Sequence, residues 1–386
     1  MYFWRNLEKM DKIILVAQPE VTSKVGGAIS VFVCMCNLFA KNGFDVCGLC
    51  YSEKKGTPKG LDSGIRFVNL YHQYDDASGF ADSFQRFVKT EQPDLIIYSF
   101  HYLYINAQLG HEFDRIPRIL MFQSRPDYYF EYIRHSEKHL KRLYRNTVTH
   151  VLLDSFKSLL PGFIKKGRVI TIPNYVKETD LTVDYSYQRN KCVYFSRIDR
   201  WKGVDLLIDS FSLLTSDFPD WSVDIYGEAE SEQFLDGLKE HAAKNGVKDR
   251  INFMGVSPNP FETLVNYDFC VFPSVFEGFS LGLVESMAVG LPCIGRLSCS
   301  GVNEMIIDGV NGLLCGDNAQ DFANGMRLLM SDVQERTKLG KNAKTYVSQF
   351  SIPLFEQRWL ALAEELIRHK PDPMEYLADV KKIVKM

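Results

Sequence analysis

The segment FCVFPSVFEGFSLGLVESMAVGLPCIG, residues 269–295, contains the pattern on which the fold assignment rests. It begins with a short apolar run, residues 269–273, that is typical of a buried strand. A loop with two glycines follows, then a stretch with helical spacing at 283–289, and then a second apolar run at 292–295. This strand–loop–helix–strand order indicates a parallel sheet covered by helices.

The same alternation extends along the chain in both directions. Strands are predicted at 12–18, 45–51, 65–70, 94–99, 118–122, 149–153 and 169–172, and then at 192–196, 221–226, 251–254, 269–273, 292–295 and 312–315. Helices are predicted at 28–42, 78–91, 129–146, 155–163, 204–214, 231–245, 283–289 and 319–330. The last 50 residues are mostly helical, with Pro353, Pro371 and Pro373 as breaks.

A polar stretch without helical periodicity, residues 178–190, separates two α/β series of similar size. We therefore predict an α/β protein with two Rossmann-like domains whose parallel sheets face a central cleft. The N-terminal domain spans 1–180 and the C-terminal domain spans 190–350. A helical tail, 351–386, is expected to cross back to the N-terminal domain.

Composition excludes several classes of protein. The 386 residues are 46% hydrophobic and 24% charged, which are globular values that exclude a disordered chain or a fibre. The net charge of −3 argues against a general nucleic-acid binder. Charge is nonetheless uneven: residues 1–187 carry 24 Lys and Arg against 20 Asp and Glu, whereas the remainder carries 21 against 28. No apolar run reaches the roughly 18 residues of a membrane span, and the N-terminus does not resemble a signal peptide.

The nine cysteines are expected to be reduced core residues, which indicates a cytoplasmic protein. Cys47 and Cys50 form an isolated C-x-x-C pair, for which a core role is favoured over a redox site. His135 and His139 have the spacing of a metal pair on a helix, but no third ligand accompanies them. No metal and no cofactor are predicted.

Three loops at the ends of predicted strands carry candidate binding residues. Gly26 and Gly27 precede a helix whose N-terminus suits a phosphate, although a plain tight turn explains the pair equally well. Arg197, Arg200 and Lys202 lie between a strand and a helix and form either an anion pocket or a solvated basic turn.

The third loop holds Glu277 and Glu285, separated by seven residues. The backbone N–H groups of Gly278, Phe279, Ser280 and Leu281 lie between the two acids. A ligand with hydroxyl groups at both ends and phosphate in the middle fits this layout, as a nucleotide-sugar does. The alternative is a surface acid followed by an acid that stabilises a helix N-terminus.

Residues 277–285, EGFSLGLVE, resemble the E-x7-E signature of the retaining glycosyltransferases of family 4, which have the GT-B fold. Other segments resemble the family's motifs in the same order: KVGGA at 24–28, SRIDRWKG at 196–203, VDIYGEAE at 223–230, INFMG at 251–255 and GVNEMIIDGVNGLL at 301–314. The resemblance covers most of residues 12–350 and is strongest in 191–316.

The resemblance implies a nucleotide-sugar donor, most readily a UDP-sugar, and a role for each matched residue. Arg197 and Lys202 would neutralise the donor diphosphate, and Glu277 would hold hydroxyls of the transferred sugar. Glu285 would bind the ribose, backbone near Val256 would bind the base, and Gly26 and Gly27 would close onto the donor. The reaction would retain the anomeric configuration without a metal.

The chain departs from the family mainly in its N-terminal half. His101 lies about two residues later than the family's histidine, and Ser99 occupies the expected place. His101 is therefore either a group near the reacting sugar or a histidine of the core or rim. Pro173-Asn174-Tyr175 replaces the usual Pro-Asn-Gly. These departures affect the acceptor side.

The segment from Tyr128 to Arg145 is basic and aromatic. It predicts either a helix that lies on an anionic membrane or an ordinary helix with an aromatic core face and a solvated basic face. The expected acceptor is a glycan or lipid-linked molecule of bacterial surface polysaccharide synthesis, met at the inner face of the cell membrane. Two alternatives stay open: a non-catalytic nucleotide-sugar-binding subunit and a nucleotide-sugar 2-epimerase.

Overall fold

The structure is a computed structural model of the chain. It describes residues 10–17, 21, 26–73, 79–99, 109, 111–131, 138, 140–141, 144, 147–164 and 168–369. His101, His135 and His139 lie outside the described residues. The chain divides into two units, the first formed by Met1–Pro173 with Phe355–Met386 and the second by Asn174–Leu354.

The first unit contains a seven-stranded parallel sheet in the order β3-β2-β1-β4-β5-β6-β7. Its strands are β1 Lys12–Val16, β2 Asp45–Cys50, β3 Arg66–Asn69, β4 Leu95–Tyr98, β5 Arg118–Phe122, β6 Thr147–Val151 and β7 Val169–Thr171. The described helices are α1 Gly27–Lys41, α2 Leu70–Gln73, α3 Gly79–Glu91 and α4 Pro126–Glu131. Strand β1 is central because all residues after Lys12 are buried and pair with β2 and β4 on either side.

The second unit contains a six-stranded parallel sheet in the order β10-β9-β8-β11-β12-β13. Its strands are β8 Lys191–Phe195, β9 Ser222–Tyr226, β10 Ile251–Gly255, β11 Phe269–Phe272, β12 Cys293–Arg296 and β13 Gly312–Cys315. Its helices are α5 Val204–Ser212, α6 Glu232–Lys244, α7 Pro260–Leu264, α8 Leu281–Ala288, α9 Ser300–Asn303, α10 Ala319–Ser331 and α11 Val333–Val347.

A last helix, α12 Ile352–Arg368, ends the described chain. Most of it groups with the first unit, where Trp359 is fully buried and its ring centroid lies 4.9 Å from that of His150. Pro353 stands in the first turn of α12 and does not break a helix, since proline is well tolerated at that position. The two parallel-sheet units and the helical C-terminal segment confirm the predicted fold class.

All thirteen predicted strands are present, with ends that differ by one or two residues. The exception among the helices is the segment predicted at 155–163, which is a short 3-10 helix, Asp154–Leu159. Pro161 explains the difference, because the residue before a proline is disfavoured in α-helical geometry. Of the helix predicted at 129–146, the structure describes α4 and single residues beyond it.

The second sheet places two loops side by side. Strand β8 lies between β9 and β11, so the chain leaves β8 towards one edge of the sheet and later returns to its other side. Ligands of such sheets bind at this reversal point, beyond the carboxyl ends of the strands. The loops that follow β8 and β11 therefore flank the expected binding position.

Candidate functional site

The loop after β8 is packed directly against the loop after β11. Gly203 adopts φ 65°, and a Cβ built on it would lie 2.4 Å from the carbonyl oxygen of Pro273. A side chain at this position is excluded both by the left-handed backbone and by the neighbouring loop. The backbone N–H of Val275 donates to the carbonyl oxygen of Trp201 at 2.8 Å, which ties the two loops together.

The packed loops bring Lys202 and Glu277 into an ion pair. Lys202 Nζ lies 2.7 Å from Glu277 Oε1, and the side chains are only 9% and 7% exposed. Ser274 Oγ donates to the same Oε1 at 3.0 Å. The resemblance assigned these residues to different parts of a donor, and the structure joins them in one buried cluster. Lys202 thus lies in a loop, but its side chain is buried.

The backbone of Glu277 is fixed by the start of α9. A Cβ built on Gly301 would lie 2.5 Å from Glu277 Cβ and 2.6 Å from its carbonyl oxygen. Only a glycine allows this approach, since even an alanine would push the two segments apart. The Glu277 side chain is therefore restrained at both ends. Gly301 packs against its backbone, and Lys202 and Ser274 contact its Oε1 atom.

Arg197 differs from Lys202 in exposure. Its side chain is 69% exposed, and its guanidinium pairs with Asp199 at 3.2 Å. The carbonyl oxygen of Arg197 accepts a hydrogen bond from the buried Tyr194 hydroxyl, which anchors the backbone while the side chain extends into solvent. Arg200, the third cation of the loop, pairs with Glu230 at 2.7 Å.

The backbone between the two acids leads into helix α8. Gly282 lies close to β8, because a Cβ there would meet the carbonyl oxygen of Phe195 at 2.0 Å. Ser280 precedes the helix but its hydroxyl does not cap it. Ser280 Oγ is buried, and none of the described residues offers it a hydrogen bond. Gly278 and Leu281 are partly exposed, whereas Phe279 is buried against Phe350.

Glu285 lies within α8 and has a perturbed pKa. Burial raises the pKa of its carboxyl to about 7, and the nearby Lys177 ammonium acts in the opposite direction. A group with this pKa carries partial charge at neutral pH and serves equally as acceptor or donor for a hydroxyl.

The remaining predicted residues lie at other strand ends. Val256 follows β10 and is 69% exposed, next to Gly255 with φ 73°. In the first unit, Gly26 and Gly27 begin α1, and Gly26 has extended backbone with no atom within 4 Å of a built Cβ. Contacts with the described residues therefore do not require a glycine at position 26.

The segment from Tyr128 to Arg145 is described only in part. Tyr144 is buried, and its ring contacts those of Phe130 and Phe163 at centroid distances of 6.2 and 5.7 Å. Lys138 and Lys141 are exposed. This part of the segment matches the alternative of an aromatic face packed in the core with a solvated basic face.

The described residues contain neither a membrane-spanning helix nor a cluster of metal ligands. No helix among the described residues is both long enough and apolar enough to cross a bilayer. Within the same residues, no cluster of three or more His, Cys, Asp or Glu side chains has the arrangement of a metal site. The nine cysteines are free, and Cys47 and Cys50 are buried with pKa values raised by burial, to about 11 and about 12.

Sequence reasoning missed Ser274 and Asp199. Ser274 is the second residue after β11 and three before Glu277, a position from which a hydroxyl reaches the carboxylate. Asp199 receives the backbone N–H of Trp201 at 2.9 Å and shapes the loop that presents Lys202. A small polar residue directly after a buried strand was the signal available for Ser274.

The Lys202–Glu277 cluster lies inside a stretch with known relatives. Residues 185–346 match the family described as Glycosyl transferases group 1. The match covers most of the second unit and less than half of the chain. None of the predicted site residues in the first unit falls within it.

Curated relatives and a solved structure extend this likeness. A lipopolysaccharide core biosynthesis mannosyltransferase, LpsB, of Rhizobium meliloti is 29% identical over 45% of this chain and 51% of its own length. A 4-alpha-N-acetylgalactosaminyltransferase of Campylobacter jejuni, named for a diphospho-undecaprenol-linked substrate, is 30% identical over 40% and 41%. The matches thus span about half the length of these relatives.

The structure of Anabaena Alr3699/HepE in complex with UDP and glucose superposes with a TM-score of 0.72. The alignment covers 91% of this chain and 98% of that protein, at 19% identity. The likeness therefore extends over both units and shows that they share the GT-B architecture.

Proposed function

We propose that this protein is a glycosyltransferase that moves a sugar from a nucleotide-sugar to a glycan or lipid-linked acceptor. The observation that carries the proposal is the buried ion pair of Lys202 and Glu277 beside the reversal point of the second sheet. A cation and a sugar-binding carboxylate in one cluster suit the bond between an anomeric carbon and a diphosphate. The family match over residues 185–346 supports it.

The donor we propose is a UDP-sugar. Support comes from the related fold of Alr3699/HepE, which was crystallised in complex with UDP and glucose. The exposed Arg197 guanidinium and the Lys202 ammonium would neutralise the diphosphate. The backbone N–H groups at the start of α8 would add partial positive charge. Glu285 would bind the ribose hydroxyls.

In the reaction, the leaving diphosphate gains negative charge as its bond to the sugar breaks. Lys202 Nζ stabilises this charge. It contacts Glu277 Oε1 and the carbonyl oxygen of Phe276, and its remaining N–H would serve a phosphate oxygen. Glu277 accepts a hydroxyl of the transferred sugar and holds the ring in place. We propose that the acceptor attacks the anomeric carbon from the same face of the sugar that the leaving group occupies. The leaving phosphate then takes the proton of the acceptor, and the anomeric configuration is retained.

Metal independence is part of the proposal. The positive charges of Lys202 and Arg197 take the place that a divalent cation has in other nucleotide-sugar enzymes. Acceptors in bacterial surface polysaccharide synthesis are supported by the names of the Rhizobium and Campylobacter relatives. Association with an anionic membrane surface would then rest on the exposed Lys138 and Lys141.

The test is transfer of radiolabelled sugar from a panel of UDP-sugars to lipid-linked oligosaccharide and to soluble glycans. Labelled product together with free UDP supports the proposal, and NMR of the new anomeric proton reports its configuration. Binding of UDP-sugars without release of UDP, with every acceptor present, would instead indicate a non-catalytic binding subunit. Conversion of the free donor to its 2-epimer would indicate an epimerase.

A further inference from the structure

The two oxygens of Glu277 have different surroundings. Oε1 forms an ion pair with Lys202 Nζ at 2.7 Å and accepts a hydrogen bond from Ser274 Oγ at 3.0 Å. Among the described residues none donates to Oε2, and Oε2 is not among the buried polar atoms that lack a partner. One oxygen is therefore held by the protein, and no described residue holds the other.

Ser274 and Lys202 hold Oε1 under different conditions. The Lys202 ammonium has three N–H groups, and a diphosphate beside it would compete with Glu277 for them. Ser274 is completely buried directly after β11, and the next residue, Val275, is tied to Trp201 through the backbone. The hydroxyl of Ser274 therefore stays on Oε1 when Lys202 turns towards a phosphate.

We propose that Ser274 is a positioning residue that holds Glu277 Oε1, so that Oε2 is the oxygen that receives the hydroxyl of the transferred sugar. This inference rests on the proposed function. Gly301 fixes the Glu277 backbone, and Ser274 fixes the far end of the side chain. Between these two restraints the carboxylate has one orientation, which it keeps throughout the reaction.

The chain offers a matched control in Ser210. Ser210 is also completely buried in the second unit, and its hydroxyl donates to the Leu206 carbonyl oxygen within α5 at 2.6 Å. Ser210→Ala removes a buried hydroxyl and one hydrogen bond, as Ser274→Ala does. The hydrogen bond that it removes lies within α5 and does not involve Glu277. Ser274→Cys keeps most of the side-chain volume with a weaker donor, and it serves if the alanine variant folds poorly.

The kinetic test uses the UDP-sugar that the wild-type protein turns over fastest. In Ser274→Ala we expect kcat to fall about ten- to a hundred-fold, since a hydrogen bond to a charged group is lost, with the Kd for UDP unchanged because UDP lacks the transferred sugar. Ser274→Cys should recover part of kcat. Ser210→Ala should keep kcat. Equal losses in the two alanine variants would show that Ser274 contributes packing alone and would overturn the proposal.

A crystal structure of Ser274→Ala with UDP bound, in which the diphosphate competes for Lys202, decides the point without a transferable sugar. The proposal expects the Glu277 carboxylate to leave its position or to occupy several rotamers. A single carboxylate in the wild-type orientation would overturn it. A wild-type protein that transfers no sugar refutes the proposed function, whereas this crystallographic result still decides whether Ser274 orients Glu277.

Discussion

Lys202 and Glu277 come from two separate strand–helix connections, and their side chains meet in a 2.7 Å ion pair that is almost closed to solvent. The pair exists because Gly203 and Gly301 allow the neighbouring backbones to approach. The pair links folding to function. The ammonium of Lys202 and the carboxylate of Glu277 would act on a bound donor, and when no donor is bound they neutralise each other. A buried pair of this kind is costly to break from one side only.

Lys202→Met should therefore destabilise the second unit. Removing the ammonium leaves a buried carboxylate for which Ser274 is the one remaining partner among the described residues, and we expect the free energy of unfolding to fall by about 3 kcal/mol. The double variant Lys202→Met, Glu277→Gln should recover most of this loss. Denaturant unfolding of the single and double variants measures the coupling. Additive losses would show that the two charges do not depend on each other.

Arg200→Met provides a control for the loss of one positive charge. Its ion pair with Glu230 is largely exposed, and surface pairs of this kind contribute little. We expect its unfolding free energy to stay within about 0.5 kcal/mol of the wild type.

Glu285 should make stability depend on pH. Its folded pKa of about 7 lies above the ordinary 4.5, so between these values the folded state holds a proton that the unfolded state has released. Stability therefore falls as pH rises from about 4.5 to about 7. Glu285→Gln lacks this fall, and its stability relative to the wild type should increase by about 2 kcal/mol between pH 5 and pH 8.

Thermal unfolding of the two proteins across this pH range checks the prediction for Glu285. The exposed Glu240→Gln variant on α6 controls for the loss of one negative charge. A constant difference between wild type and Glu285→Gln from pH 5 to pH 8 would mean that the carboxyl ionises as it does in water.

Chelation should leave transfer intact. In the proposed mechanism Lys202 and Arg197 provide the positive charge for the diphosphate, and no cluster of metal-ligating side chains is present in the described part of the chain. We expect the initial rate in excess EDTA to equal that in buffer. A rate that disappears with EDTA and returns with Mg²⁺ or Mn²⁺ would contradict the metal-independent mechanism.

How far the sequence predicts this protein depends on the kind of feature. The strands were predictable because runs such as KIILV, Lys12–Val16, are apolar on both faces and occur only in covered parallel sheets. The 3-10 helix at Asp154–Leu159 was not predictable in this way, because the helical spacing of its residues did not indicate the geometry that Pro161 imposes.

At the site, the sequence supplied the residues but not their relations. The resemblance singled out Lys202 and Glu277 separately, and their direct contact depends on the packing of two loops that no local pattern encodes. The perturbed pKa of Glu285 likewise follows from burial by distant parts of the chain. The roles assigned to His101, Gly26 and Gly27 stay predictions.

Binding to membranes tests the basic face of the first unit. Each basic residue near an anionic surface contributes about 1 kcal/mol, so reversing Lys138, Lys141 and Arg142 to Glu should abolish binding to vesicles that contain phosphatidylserine. The matched control reverses the exposed Lys54, Lys55 and Lys59 of the same unit. Sedimentation with vesicles at low and high salt measures the effect. Equal behaviour of the two triple variants, or a wild-type protein that ignores these vesicles at low salt, would exclude this surface.

The central claim is that the Lys202–Glu277 pair acts on the bond between sugar and diphosphate. Its most direct test is kcat/KM for sugar transfer from the preferred UDP-sugar in Lys202→Met and in Arg200→Met, each measured where the variant is fully folded. We predict a loss equivalent to roughly 2–4 kcal/mol of transition-state stabilisation for Lys202→Met and little change for Arg200→Met. Wild-type kcat/KM in folded Lys202→Met protein would contradict the account.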